Sequence, residues 1–447
     1  MEKIDLQMHT KFVLGAILAF LAASVAVAIA APGVSAADAE AAMDTGDMSW
    51  IILAAVLVFL MAPGIALLYG GMLRKQSMTS VIAQCMMAMA AVFLIWAIAG
   101  YSLAFGGDTY GLVGGLEHLM MINVPYDYST LGLTIPDMEF FIFQGMFALV
   151  TACIIVGATA ERIRFPAIMA FLALWSVLVY APMAHMVWGG GILSTSFGWI
   201  TTLDFAGGTV VHICSAVSGI ALAVLVGRRS ANTVKERPHS IPLMFLGAML
   251  LWAGWLGFNG GSALGMDGVA INAIAVTLVS SVTAIVIWGA VQYLHVGRIS
   301  VTGMCAGCLA GLVAITPGAG FVDAPAAIII GAAGATLCYF GVIFMRKKSG
   351  IDDALDVFGI HGVGGIWGAI ATGIFAIPAL TSTPGLLYGG ADLFLGQFAA
   401  VAFTLVYCFA VSFIIIKVLS LVMRVRLTED EEMIGPDMVE HGESAYN

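Results

Sequence analysis

Residues 48–70 read MSWIILAAVLVFLMAPGIALLYG, and this stretch contains no charged side chain. About 20 apolar residues in a helix are enough to cross the hydrocarbon core of a bilayer. Similar runs recur along the 447-residue chain, at 48–70, 77–106, 138–159, 163–187, 206–227, 240–260, 266–295, 299–316, 325–346, 357–380 and 392–424. The sequence therefore predicts an all-α polytopic membrane protein with about eleven transmembrane helices.

The composition supports a membrane protein and excludes other classes. Hydrophobic residues make up 61% of the chain and charged residues only 10%, too few for a soluble domain of this size. The 53 glycines suit close contacts between transmembrane helices. The net charge of −10, without a basic tract, argues against nucleic acid as a partner. All 7 cysteines lie in apolar runs, so no disulfide framework is expected.

The basic residues give an orientation that is independent of hydrophobicity. They cluster in every second connection and near the end of the last run: Arg74/Lys75, Arg162/Arg164, Arg228/Arg229/Lys235/Arg237, Arg298, Arg346/Lys347/Lys348 and Lys417/Arg424/Arg426. The alternate connections carry acidic residues instead. Because basic loops stay in the cytoplasm, we expect the N-terminus outside the inner membrane, on the periplasmic side, and the C-terminus inside the cell.

The two ends of the chain have separate predictions. An additional apolar run, 12–31, follows Lys3 and Lys11 and precedes the small residues Val34-Ser35-Ala36. This pattern predicts a signal peptide over residues 1–36, although the length of the run leaves a retained helix open. Residues 37–426 form the predicted membrane domain. Residues 427–447 are polar and acidic, and we expect them to form a cytoplasmic tail.

Eleven helices allow two five-helix halves followed by one further helix. Because five is odd, the two halves would be inverted relative to each other, a common plan in transporters. A short sequence similarity between the halves supports this repeat. Asp204 precedes His212 near the start of the fifth helix, and Asp356 precedes His361 near the start of the tenth.

His212 and His361 are the histidines placed within helices, away from their ends. At the helical rise, His212 lies roughly 12 Å from Asp204 and His361 roughly 8 Å from Asp356. The two imidazoles thus approach the midplane from opposite faces, and an ionisable residue at that depth indicates a functional site. Packing against backbone carbonyls is the alternative. Cys214 lies near His212, but nothing there has the spacing of metal ligands, and we expect no metal or cofactor.

Four further side chains share one level near the outer face. Phe147, Trp188, Phe258 and Ser262 lie at the outer ends of three different helices. Aromatic faces attract small cations, and a hydroxyl oxygen adds a hydrogen-bond acceptor. An interfacial aromatic belt is the alternative interpretation. Asp204 either caps the fifth helix or contributes a negative field for a cation, and we favour both over direct ligation.

Several strings resemble the ammonium transporter (Amt/Mep/Rh) family. They are FQGMF at 143–147, AERIRF at 160–165, HMVWGGG at 185–191, DFAGGTVVH at 204–212, GWLGFN at 254–259 and DVFGIHG at 356–362. The resemblance runs in order from about Met48 to the end. Trp188 and Ser262 both match the bacterial or archaeal Amt branch rather than the Rhesus branch.

This resemblance implies a role for each matched residue. Phe147, Trp188 and Ser262 would recruit ammonium, while Phe147 and Phe258 would form a gate. His212 and His361 would line the pore, and Asp204 would support the outer site. The resemblance also implies a homotrimer with one pore in each subunit. The tail, with Gly435-Pro436-Asp437 and residues 441–446, resembles the family's regulatory tail, which helps a PII-type nitrogen regulatory protein to dock.

The sequence then favours a mechanism in which ammonium loses its water and its proton and crosses as ammonia. A shared hydrogen bond between the imidazoles could carry the proton separately, so net charge movement stays open. Two alternatives remain: an ion-coupled transporter of another substrate, which would need deep carboxylates, and an ammonium sensor acting through its tail. No nucleophile–base pair or carboxylate pair indicates an enzyme.

Overall fold

The computed structural model describes residues 42–230 and 238–446. Within these ranges, eleven helices are long and apolar enough to cross a membrane, which confirms the predicted number. They are α1 (Thr45–Met72), α2 (Lys75–Phe105), α3 (Asp137–Thr159), α4 (Phe165–Trp188), α5 (Gly208–Val226), α6 (Ile241–Gly261), α7 (Gly268–Val296), α8 (Val301–Gly318), α9 (Ala324–Lys347), α10 (Phe358–Phe375) and α11 (Ala391–Val422). The predicted signal peptide, 1–36, lies outside the described residues.

Short polar side chains fix where many of these helices begin. Asp44 accepts hydrogen bonds from the backbone N–H groups of Gly46 and Asp47 at the start of α1. Ser240, Asp267, Ser300 and Asp323 cap α6, α7, α8 and α9 in the same manner. Such caps satisfy N–H groups that have no partner within the helix, so the chain leaves each loop at a defined residue.

The helices differ in burial, and this difference locates the core. α3 and α5 are almost completely enclosed by the other helices, whereas α2, α7, α9 and α11 expose much of their length. Glycines allow α1 and α6 to approach closely: a Cβ added at Gly247 would lie 2.3 Å from the backbone nitrogen of Leu68. The glycine content thus serves helix contacts, as predicted.

Two of the helices begin with a wide, π-type turn. These turns span Gly208–Ile213 at the start of α5 and Phe358–Gly362 at the start of α10. His212 and His361 each lie within one of them. Wide turns cost regular hydrogen bonding and are frequent at functional sites. The matching irregularity at the fifth and tenth helices also fits the predicted repeat of two five-helix halves.

The connection between α2 and α3 contains a small hairpin at one end of the molecule. Strand β1 (Asp108–Thr109) pairs antiparallel with β2 (Val113–Gly114), with Asp108 opposite Gly114. Gly111 makes the reversal possible because its φ is +71°, a conformation that glycine adopts without strain. This hairpin packs against the end of α4 that carries Trp188.

The opposite end of the molecule is bound together by buried ion pairs. Glu161 accepts hydrogen bonds from Arg74 and Arg229, and Arg229 also pairs with Asp352 at 2.8 Å. Burial acts to raise the pKa of Asp352, but the hydrogen bonds and charge of Arg229 and the charge of Arg162 lower that pKa to about 2. These contacts give the string at 160–165 a structural role, since Glu161 joins connections that are distant in sequence.

The C-terminal tail folds back onto this same end. A short helix, α12 (Glu429–Ile434), begins with a capping box formed by Thr428 and Glu431. The fully buried Glu432 accepts hydrogen bonds from Arg426 and from the backbone of Ser230. Asp437 then accepts the N–H groups of Thr79 and Ser80 at the start of α2. The tail is thus an ordered part of the fold as far as residue 446.

Candidate functional site

Five rings from five different helices form one continuous column through the core. Phe147 of α3 meets the Trp188 ring of α4 edge-on, with centroids 6.0 Å apart. Phe147 stacks on Phe258 of α6 at 4.1 Å, and Phe258 lies 6.1 Å from the His212 ring of α5. His212 then lies 5.2 Å from His361 of α10. The structure therefore brings five of the seven sequence-predicted residues into one column.

At the Trp188 end of the column, the N–H and O–H donors are already used in hydrogen bonds within the protein, so the aromatic faces and one hydroxyl oxygen remain available to a solute. The indole N–H of Trp188 donates to the backbone oxygen of Asp204 at 2.8 Å, which fixes the ring. The hydroxyl of Ser262 donates to the backbone oxygen of Phe258 at 2.8 Å. Because its proton is already used, the Ser262 oxygen presents only lone pairs. This end offers π faces and an acceptor, the groups that attract a small cation.

The next layer of the column is closed. Phe147 is 1% exposed and Phe258 is fully buried, and their rings are nearly parallel, with an interplanar angle of 24°. A solute that follows the column must separate these two rings or displace them. The layer is wholly apolar, so a charged solute would lose its hydration here without gaining a charged partner.

The two imidazoles below this layer are joined directly. The Nδ1 atoms of His212 and His361 lie 3.2 Å apart. One Nδ1 must donate and the other must accept, so two neutral rings of opposite tautomers satisfy this contact. The Nε2 atom of His212 is buried and has no hydrogen-bond partner in the described part of the chain. The pair can therefore offer a hydrogen bond to a small neutral molecule beside it.

Two cavities adjoin the histidine pair. A cavity of about 10 Å³ is lined by both imidazoles together with apolar side chains, among them Ile65, Val150 and Leu251. That volume is close to the minimum that holds a single water molecule. A larger cavity, about 310 Å³, begins at His361 and extends past Trp288 and Tyr339 to Arg346 and Lys347. The column thus leads from the aromatic end to a wider space near the basic end of the molecule.

Asp204 holds the start of α5 in place. One carboxylate oxygen accepts from the N–H groups of Gly207 and Gly208, at 2.8 Å and 2.7 Å. The other accepts from the N–H of Thr209 at 2.7 Å and from the Thr209 hydroxyl. The wide turn leaves these donors without intrahelical partners, so this single side chain satisfies them. The backbone oxygen of Asp204, not its carboxylate, accepts the indole N–H of Trp188.

The structure corrects the register of the predicted repeat. The residue that corresponds to Asp204 in the second half is Asp353, not Asp356. Asp353 accepts from the N–H groups of Val357 and Phe358 at the start of α10, and it precedes His361 by the same eight residues that separate Asp204 from His212. Asp356 instead pairs with Arg346 at 2.7 Å. Sequence reasoning chose the nearest acidic residue, which the fold uses for an ion pair.

Sequence reasoning also missed Trp255, which lies beside the histidine pair. Its ring stacks on His212, with centroids 5.2 Å apart and an interplanar angle of 23°, and its N–H donates to the Thr316 hydroxyl at 2.8 Å. Trp255 precedes Phe258 by three residues, so both fall on one helical face. That spacing was the available signal. Within 42–230 and 238–446, no three His, Cys, Asp or Glu side chains converge as metal ligands.

Comparisons with known proteins agree on a single family. The model of the Ammonium Transporter Family matches residues 49–446. An ammonium transporter of Bacillus subtilis is 46% identical over 406 residues, which cover 90% of this chain and 99% of that protein. Ammonium transporter Amt1 of Archaeoglobus fulgidus is 41% identical and covers 90% and 100%. The crystal structure of Candida albicans Mep2 superposes with a TM-score of 0.82 at 36% identity, covering 90% of this chain and 91% of that one.

Proposed function

This chain belongs to the Ammonium Transporter Family, and from that membership we propose the route by which it moves ammonium across the membrane. The protein is a multi-pass membrane protein and an ammonium transporter. The route we propose follows the ring column from Trp188 to His361 and the cavity beyond it. The observation that carries this proposal is the unbroken ring column, because it joins a cation-attracting end to a pair of neutral imidazoles.

The first step is recruitment of the ammonium ion. The ion rests against the π faces of Phe147 and Trp188 and donates a hydrogen bond to the Ser262 oxygen. The acceptor state of Ser262 supports this step, since its own proton is held by the Phe258 carbonyl. Cation–π contacts are each worth about 0.5–2 kcal/mol, enough to concentrate a cation without trapping it. Asp204 supports the site by fixing α5 and the Trp188 indole.

The second step is loss of the proton at the Phe147–Phe258 layer. A bare cation between two buried apolar rings would lack both water and a counter-charge, which is energetically expensive. Ammonium can avoid this cost by releasing a proton and continuing as ammonia. Potassium has a similar size but no proton to release, so the pore, in which the neutral histidine pair follows this layer, excludes it.

The third step is passage of ammonia along the histidine pair. Ammonia can both donate and accept hydrogen bonds, which suits one imidazole N–H and one lone pair. Two neutral rings add these contacts without placing a net charge in the core. The proton that was released either returns outside or crosses through the shared Nδ1–Nδ1 hydrogen bond. The two branches differ in the charge moved for each ammonium, so a current measurement distinguishes them.

We also propose the cellular setting of this route. The protein assembles as a homotrimer in the cell inner membrane, with one pore in each subunit, and the exposed faces of α2, α7, α9 and α11 are available to neighbouring subunits and lipid. The acidic tail lies in the cytoplasm, where a PII-type regulatory protein docks near it. The relatives named above are transporters, and we assign no enzymatic reaction to this chain.

Recording from liposomes tests the route. Purified protein is reconstituted, and an ammonium pulse is applied while the current and the uptake of labelled methylammonium are measured. We expect saturable uptake that excludes potassium in the wild type. The double variant His212→Ala with His361→Ala should admit potassium, while His118→Ala, a histidine outside the column, should behave as the wild type. A double variant that still excludes potassium would remove the histidines from the selectivity step.

A second variant tests recruitment separately. Trp188→Leu removes one π face without placing a charge in the core. We expect a higher apparent KM for ammonium with a similar maximal rate, because Trp188 contributes to binding rather than to passage. An unchanged KM would contradict the role of Trp188 in recruitment and leave the rest of the route standing.

A further inference from the structure

The cavity of about 310 Å³ beyond the histidine pair has a buried inner end and an open outer end. Trp288 and Tyr339 line the inner part and are only 5% and 7% exposed. His295, Arg346 and Lys347 line the other part and are exposed at the basic end of the molecule. The cavity therefore opens at the end that we expect to face the cytoplasm, and its volume lies within the range of small-molecule sites.

Most polar side chains of the lining hydrogen-bond to one another. The amide nitrogen of Gln292 donates to the Ser300 hydroxyl at 3.0 Å, and the Gln292 oxygen accepts the backbone N–H of Ser300 at 3.3 Å. The Nδ1 atom of His295 lies 2.9 Å from the Tyr339 hydroxyl oxygen, within hydrogen-bond distance. These groups satisfy each other and do not need a ligand.

The acidic side chain of the lining is also occupied. Asp356 is the one carboxylate among the lining residues in the described part of the chain. The Nε atom of Arg346 donates to one of its oxygens at 2.7 Å, and a second guanidinium nitrogen donates to the other oxygen. A cation in the cavity would therefore find no free carboxylate.

Two donors of the lining have no acceptor within residues 42–230 and 238–446. One is the indole Nε1 of Trp288, which is buried and has no hydrogen-bond partner. The other is the ammonium group of Lys347, which forms no ion pair. A buried N–H without an acceptor is costly, so a ligand that supplies an acceptor gains affinity there. The surplus of donors and the positive rim both favour an anionic ligand.

The two free donors lie at opposite ends of the cavity. The Trp288 ring packs edge-on against Tyr339, with centroids 5.2 Å apart, so these two rings share one level. Lys347 follows Tyr339 by eight residues of α9, which places it roughly 12 Å further along the helix axis. The apolar side chains of Val342 and Ile343 line the space between. A matching ligand thus has an acceptor at each end and an apolar body.

We propose that this cavity binds a small organic anion whose charged group pairs with Lys347 and whose neutral acceptor at the other end reaches the Trp288 N–H. Such a ligand fills the space into which ammonia leaves the histidine pair, so its binding stops transport. This second part rests on the proposed function, because it assumes that the route passes through the cavity. Ammonium itself only donates hydrogen bonds, so it does not compete for these two donors.

Monomethyl suberate is a suitable probe, because an alkyl chain separates its carboxylate from an ester carbonyl. Octanoate lacks the inner acceptor, and dimethyl suberate lacks the charge. Isothermal titration calorimetry of the full-length protein in detergent, with a protein-free detergent blank, measures the Kd of each compound. We expect monomethyl suberate to bind roughly three- to tenfold more tightly than octanoate, the effect of one hydrogen bond. Equal binding of monomethyl suberate and dimethyl suberate would overturn the assignment of an anion site.

Three variants locate the site. Trp288→Phe keeps a ring beside Tyr339 but removes the N–H, so it should raise the Kd of monomethyl suberate roughly three- to tenfold and leave that of octanoate unchanged. Lys347→Gln should weaken the binding of both anions and reduce its salt dependence. Lys348→Gln is the matched control, since Lys348 is equally exposed but does not line the cavity. If all three variants bound both anions as the wild type does, this inference would be wrong.

Methylammonium uptake in liposomes tests whether an occupied cavity stops transport. We expect monomethyl suberate to lower the maximal rate without changing the KM, because it binds at the end of the route opposite Trp188. This inhibition should weaken in Lys347→Gln and persist in Lys348→Gln. Binding without inhibition would keep the anion site but refute a route through this cavity. Absence of binding would refute the anion site and leave the route unaffected.

An anionic membrane lipid offers similar chemistry, since basic pockets between helices bind lipid headgroups. Liposomes of phosphatidylcholine, with and without phosphatidylglycerol, distinguish the two sources at a salt concentration that screens the surface charge. Equal inhibition by monomethyl suberate in both would support a soluble anion as the ligand. Weaker inhibition in the presence of phosphatidylglycerol would assign the cavity to the lipid and overturn the assignment to a soluble anion.

Discussion

Replacing Asp204 with alanine tests how the start of α5 is held. The carboxylate accepts three backbone N–H groups and one hydroxyl, and the residues that carry them, Gly207, Gly208 and Thr209, are buried. An alanine accepts nothing, and the wide turn provides no alternative partner. The three N–H groups would then be buried without hydrogen bonds, and His212 would lose the turn that aims its ring into the column.

The expected loss of folding stability follows from the number of hydrogen-bond donors that lose their acceptor. Each unsatisfied buried donor costs about 1 kcal/mol or more, so Asp204→Ala should destabilise the fold by about 3 kcal/mol or more. Asp323→Ala is a matched control, because Asp323 caps α9 through a single N–H, that of Ala326, at 3.1 Å. Loss of such a cap costs about 1 kcal/mol.

Thermal denaturation of the purified variants in detergent, with methylammonium uptake in liposomes, measures both effects. We expect Asp204→Ala to lower the apparent unfolding midpoint clearly more than Asp323→Ala and to abolish uptake. Asp204→Asn keeps an acceptor oxygen and should fall between them in stability. If Asp204→Ala and Asp323→Ala unfolded at the same temperature and transported equally well, the assignment of Asp204 as the anchor of α5 would be refuted.

Three further predictions concern other parts of the fold. Trp255→Phe keeps a ring beside His212 but removes the N–H that donates to Thr316, so it should lower stability by about 1 kcal/mol in the same denaturation assay. Burial, together with the charge of a neighbouring aspartate, raises the pKa of Asp353 from 3.8 to about 7. A raised acid pKa favours folding at low pH, and this contribution is lost as the pH rises through about 7. The unfolding midpoint of Asp353→Asn should therefore fall less than that of the wild type between about pH 5 and about pH 8. Gly247→Val should prevent α1 and α6 from approaching and abolish expression of folded protein, whereas Gly268→Ala, where an added Cβ meets nothing within 4 Å, should be neutral when both are checked by size-exclusion chromatography.

Much of the fold could be predicted from the sequence because the bilayer fixes helix length. Every predicted helix end lies within five residues of its position in the structure, and the largest error is at the end of α10, placed at 380 rather than Phe375. The predicted run continued there because the apolar residues Ala376 and Ile377 follow the helix in an irregular loop. Hydrophobicity gives the length of an apolar run, but not the residue at which the backbone leaves the helix.

The residues of the column could also be predicted, but not their contacts. The level shared by Phe147, Trp188 and Phe258 follows from the order and direction of the helices, and the structure places their rings in contact. The capping role of Asp353 was missed because Asp356 lies nearer to His361, although the spacing of eight residues that Asp353–His361 shares with Asp204–His212 was the available signal.

The corrected repeat has an electrostatic consequence for the whole route. α5 and α10 both begin beside the ring column, and the N-terminus of a helix carries a partial positive charge that opposes a nearby cation. Asp204 and Asp353 each place a carboxyl group against the N–H groups that have no partner within the helix at such a terminus. Each aspartate lies eight residues before the histidine of that helix. Asp204 therefore offsets the positive helix end at the side where we propose that the cation binds, while the column itself contains only rings. Burial and the charge of Asp356 raise the pKa of Asp353 to about 7, so this carboxyl gains a proton more readily than an ordinary aspartate does. The two helix termini thus share one backbone plan, in which a carboxyl group accepts the unpaired N–H groups of the terminus eight residues before a histidine of the column.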